Sequence, residues 1–96
     1  MAYDPGAIDS TLAAAVGEER ELVAELRLAF LEGAERCLDR MDHTGDRFEW
    51  REAAARLRGL AASFGAVRLM ALAEGAMHAG PDEAMLAKLR RAVARL

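Results

Sequence analysis

The side chains of this 96-residue sequence best suited to nucleophilic or metal chemistry are His43, His78 and Cys37. Neither histidine has a ligand partner at metal-binding spacing, and no zinc pattern, nucleophile triad or Gly-rich phosphate loop appears. Cys37 falls on an apolar stripe with no basic neighbour placed to activate it, so it reads as a small core residue. The sequence therefore implies no enzyme, no metal and no cofactor. What the spacing offers instead is charge. Arg47, Arg51 and Arg58 recur at intervals of four and seven residues, forming one helical stripe that passes over Ala55 and beside Gly59. A stripe of this kind either pairs with neighbouring acids, here Glu21, Glu25 or Glu32, or steers an acidic partner to the surface.

Those arginines need helices to hold them. Composition is 53% hydrophobic with only five aromatics, Tyr3, Phe30, Phe48, Trp50 and Phe64. Ala, Leu, Glu and Arg dominate, a mixture of high helix propensity that predicts an all-α domain spanning 1–96. Asp4-Pro5 reads as a helix start, with Ile8, Leu12 and Val16 on one side and Gly17 ending or bending a short first helix. A long amphipathic helix runs from Glu18 to about Asp42, with Leu22, Val23, Leu26, Phe30, Ala34, Cys37 and Met41 on one stripe.

Asp46 followed by Glu49 resembles a capping box, so the next helix begins near Arg47. Its inward stripe is Trp50, Ala53, Ala54, Leu57, Ala61 and Phe64, and Gly65 breaks or kinks it. Val67 to Ala79 gives a further helix with Leu69, Leu72, Ala73 and Ala76 inward. Gly80-Pro81 punctuates, and Asp82-Glu83 opens a last helix carrying Met85, Leu86, Leu89, Val93 and Leu96. Met41, Met70, Met77 and Met85 read as core filler. Short turns favour antiparallel neighbours, so the expected architecture is an antiparallel four-helix bundle with a short extra N-terminal helix.

Charge is unevenly divided. Residues 1–46 hold 11 acids and 4 bases, a net of -7, whereas residues 47–96 hold 5 acids and 9 bases, a net of +4. An acidic face and a basic face are expected, able to pair within the fold. The basic excess is too small for a nucleic-acid role. No apolar run is long enough for a membrane span and no export signal is apparent, while a single cysteine fits a reducing, cytoplasmic setting.

Ala55-Arg56-Leu57-Arg58-Gly59, with Gly65-Ala66 six residues on and Leu69 beyond, resembles the signature of histidine phosphotransfer (HPt) domains. That signature is His-x-Leu-Lys-Gly followed by Gly-Ala. The resemblance extends along the chain from Asp4-Pro5 and implies an HPt-like bundle. Arg58 takes the Lys position, and Leu60 stands where the family has a small residue. Ala55 stands where the phospho-accepting His belongs, and a methyl group has no lone pair with which to attack an aspartyl phosphate.

The resemblance implies a two-component signalling (phosphorelay) module whose acceptor position is vacant. Such a pseudo-phosphotransfer domain is a non-enzymatic protein–protein interaction module, a competitor or scaffold for a response-regulator receiver domain or a histidine kinase. The docking residues it implies are Arg51, Ala55, Arg58 and Gly59, together with an outward Leu28. Gly59 matters because a helical Gly costs about 0.5–1 kcal/mol relative to Ala, and close approach of a partner gives it a reason. The alternative is a structural helical module that self-associates into a homo-oligomer and keeps only an ancestral likeness.

Overall fold

The computed structural model describes residues 19–96, which form four α-helices and no strand. The expected short helix from Asp4-Pro5 to Gly17 lies outside the described residues. In chain order the helices are α1 (Arg20–Asp42), α2 (Arg47–Ser63), α3 (Val67–Ala79) and α4 (Glu83–Ala94). Each packs on the next, and α4 closes the ring against α1, while the backbones of diagonal helices stay apart. Arg40 meets Glu52 while Phe30 meets Phe64, so α1 and α2 run antiparallel. Arg27 donates to the Leu96 carbonyl while Arg90 reaches Asp39, so α4 runs antiparallel to α1 as well.

The helix ends follow from local chemistry. Asp46 Oδ1 accepts the Phe48 amide at 2.9 Å and Asp82 Oδ1 accepts the Ala84 amide at 3.0 Å, which caps α2 and α4. The capping box expected at Asp46 and Glu49 takes a different form. The Asp46 amide donates to the Thr44 hydroxyl at 3.0 Å, and that hydroxyl donates to Glu49 Oε2 at 2.7 Å. Thr44 thus occupies the donor that Glu49 would otherwise have accepted directly. No capping side chain bonds the start of α1, which begins at Arg20 rather than Glu18.

Gly65 ends α2 rather than kinking it. Its φ of 73° lets the Ala66 amide reach back to the Ala61 carbonyl at 2.8 Å and its own amide reach Ala62 at 3.4 Å. This is a Schellman closure, which satisfies the last carbonyls of the helix. Gly80, also at φ 73°, does the turning after α3, and the stem of Arg47 lies over it.

The core is built from alanines and a few large side chains, as the composition predicts. Ala34, Ala53, Ala54, Ala61, Ala73 and Ala76 are all buried, letting the helices approach closely around Trp50, Leu57, Leu69 and Leu89. Trp50 is 2% exposed, and its indole N–H donates to the Ala76 carbonyl at 2.8 Å, joining α2 to α3. Phe30 is buried with its ring centroid 4.9 Å from that of half-buried Phe64. The stripe expected on α1 needs correction: Leu22 is exposed, while Gly33 and Leu38 are buried. α1 touches both α2 and α4, so its buried arc is wider than a single stripe.

Among the described residues the two halves are joined by Arg90 of the basic half, which gathers acids of the acidic half, and by the reverse pair of Arg40 with Glu52. Arg90 lies 3.7 Å from Glu35 and 3.5 Å from both Asp39 and Asp42. Among the described residues no helix is long and apolar enough to cross a membrane.

Candidate docking face

Ala55 sits at the middle of α2, on the side turned away from the core residues Trp50, Ala54, Leu57 and Ala61. It is half-buried rather than fully exposed. Its neighbours one turn away are Arg51 and Arg58, and a single methyl between two long stems is partly shaded. Ala55 carries no group able to accept a phosphoryl from a partner.

Around that methyl the structure brings together three of the expected residues and holds one of them aside. Arg51 is exposed and makes no hydrogen bond or ion pair among the described residues. Gly59 is exposed and helical, and a Cβ built on it meets nothing within 4 Å. The space above it is open. Arg58 is drawn off toward α3, where its Nη1 lies 3.4 Å from Glu74 Oε1. The acids expected to pair with the arginine stripe, Glu21, Glu25 and Glu32, do not take part in the pairs formed by Arg58 and Arg90. Glu21 and Glu25 project from the first half of α1, whereas Arg58 of the α2 stripe turns toward α3.

Leu28 does not belong to this face. It is 57% exposed, but it lies seven residues before Glu35 and eleven before Asp39, on the flank of α1 that meets Arg90 of α4. The flank of α1 that meets α2 carries Ala29, Gly33 and Arg36 instead. Helical periodicity therefore puts Leu28 round the far side of its helix from Ala55.

Two residues outside the expected set do join the face. Phe48 is 69% exposed and stands seven residues before Ala55, two turns along the same side of α2. An aromatic at an outward position was the available signal in the sequence. Phe48 also borders an open groove of about 530 Å³ with Asp46, Arg47, Arg51, Met77 and His78. His78 thus reaches the surface beside Arg47 and Arg51, at the end of the face and apart from Ala55. Its position was hidden because it depends on how α3 lies against α2. His43 is spent on its own helix end, with Nδ1 2.7 Å from the Asp39 carbonyl oxygen.

Cys37 is buried, and burial pushes its thiol above the ordinary value of 9.0. Basic neighbours are nevertheless present, contrary to the sequence expectation. Arg56, Arg36 and Arg40 all act to lower it, and desolvation outweighs them. The arginines belong to two helices, so linear spacing did not show their convergence. Among the described residues no group of three or more His, Cys, Asp or Glu is placed to hold a metal ion.

The face thus offers an open helix surface, the unpaired Arg51 guanidinium, an exposed aromatic ring and no nucleophile at its centre. Comparison with protein families, curated proteins and solved structures finds no match for the chain.

Proposed function

We propose that this domain is an HPt-like signalling module that binds a receiver domain and takes no phosphate from it. The observation that carries the reading is the surroundings of Ala55. A methyl occupies the mid-helix position that the motif gives to the acceptor histidine, and open space lies over Gly59 one turn on. A receiver's phosphorylation pocket is acidic, and Arg51 offers it an uncommitted cation. Phe48 supplies an apolar anchor of the kind that dominates binding energy when it is buried by a partner. Binding without transfer makes the module a competitor or scaffold in a phosphorelay, with no catalytic step of its own.

The experiment is a titration of the full chain against receiver domains, with Gly59→Leu and Arg51→Glu as variants. Gly59→Leu fills the open space and is expected to abolish binding. Arg51→Glu is expected to slow association and flatten its salt dependence, because an exposed charge acts mainly through steering. Binding that survives both changes places the interface elsewhere and favours a self-associating structural module.

A further inference from the structure

A second surface, round α2 from the docking face, gathers three arginines of which one is paired with an acid. Arg36 and Arg40 on α1 and Arg56 on α2 line an open groove of about 420 Å³ between the two helices. Only Arg40 is paired, with Glu52 Oε1 at 3.3 Å. Arg36 and Arg56 form no ion pair among the described residues. The remaining lining is Ala29, Gly33, Cys37, Ala53 and Leu60.

Three features make this more than a solvated charge run. Arginines from two helices border one groove, with the buried Cys37 also in its lining. Arg36 folds back along its own helix, its Nη2 3.7 Å from where a Cβ on Gly33 would stand. The guanidinium, though exposed, therefore lies along the edge of the groove. Like charges gathered in this way repel one another unless an anion joins them, and the chain as a whole carries a net charge of -3. The volume also falls within the range of small-molecule sites, about 300–1,000 Å³.

We infer that the groove between α1 and α2 binds a small organic phosphate, with Arg36 and Arg56 gripping the phosphate and the Gly33–Leu60 floor taking its apolar body. Phosphate is favoured over a single carboxylate because it presents enough oxygens to two planar forks at once. Glu52 competes with the ligand for Arg40. Arg56 and Leu60 lie about 100° or more round the helix from Ala55, so this site does not depend on the docking reading.

The test is an amide-resolved NMR titration of the full chain with inorganic phosphate and with phenyl phosphate, against chloride at constant ionic strength. Shifts are expected at Gly33, Ala53 and Leu60 and not at Arg51 or Gly59, with phenyl phosphate binding several-fold tighter than inorganic phosphate. Arg36→Gln combined with Arg56→Gln is expected to weaken binding about tenfold or more. Glu52→Gln, which frees Arg40, is expected to tighten it. All these positions are exposed, and a circular dichroism melt checks that the variants fold. Shifts that survive the double substitution, that centre on Arg51, or that chloride reproduces would overturn the site. Phenyl phosphate binding no tighter than inorganic phosphate would overturn the assigned ligand class.

Discussion

Arg58 Nη1 lies 3.4 Å from Glu74 Oε1, so the cation one turn beyond Ala55 is tied to the next helix instead of standing free. Both side chains are about half exposed, at 43% and 56%, and such a pair contributes little to stability, under about 0.5 kcal/mol. Its effect is on the surface field. Glu74→Gln is expected to leave the melting temperature nearly unchanged while raising the association rate with an acidic receiver, most at low salt. Stopped-flow kinetics at two ionic strengths measure this, and an unchanged rate would mean that Arg58 does not face the partner.

Gly59 and Gly33 make opposite predictions for the same substitution. Nothing lies within 4 Å of a Cβ on Gly59, whereas on Gly33 it would stand 3.3 Å from Leu60 Cδ1. Gly59→Ala is expected to stabilise the fold by roughly 0.5–1 kcal/mol, a few degrees in melting temperature. Gly33→Ala is expected to gain less or to lose stability, because Leu60 must give way in the seam between α1 and α2. Adding Leu60→Ala relieves that crowding, so the double variant is expected to be more stable than the sum of its parts. Thermal melts of the four variants decide it.

The contrast also marks what was legible in the sequence. The bounds of α3, Val67–Ala79, follow from glycines on both sides, and both turn at positive φ. Gly65-Ala66, read first as part of a motif, has a full local explanation as the Schellman closure of α2. Gly59 has no such explanation, since it is helical and uncrowded, and it therefore carries more of the functional argument. Pairings between helices were not legible. Arg58 with Glu74, His78 beside Arg51, and three arginines around Cys37 depend on how the helices cross, which linear spacing does not encode.

Trp50 tests the packing account. Its ring is 2% exposed and its indole N–H bonds the Ala76 carbonyl at 2.8 Å. Trp50→Phe removes the donor and part of the volume, for an expected loss of about 2–3 kcal/mol. In the native protein, Trp50 fluorescence should be blue-shifted and poorly quenched by iodide. Ready quenching would place the ring at the surface.

Cys37 makes a pH prediction. Its thiol is held above 9.0 by burial, so the folded state keeps a proton that the unfolded state gives up. Between those two values the unfolded chain binds fewer protons, and stability must fall as pH rises. The contribution is fully present below about pH 9.0 and is lost above it. Chemical denaturation from pH 7 to 10.5 should show this decline, and Cys37→Ala should make it shallower. An equal slope in both proteins would assign the decline to other groups.

The central claim is that Ala55 occupies an acceptor position on a surface still shaped for a phosphorylated receiver. The direct measurement is phosphoryl transfer from a panel of phosphorylated receiver domains to the wild-type chain and to Ala55→His. The imidazole nitrogen would attack phosphorus and expel the receiver's aspartate carboxylate, leaving an acid-labile, alkali-stable phosphohistidine. The account predicts label on Ala55→His and none on wild type, with transfer to Ala55→His blocked by adding Gly59→Leu. A folded Ala55→His that takes no label from any receiver, or a wild-type chain that is labelled at His43 or His78, would contradict it.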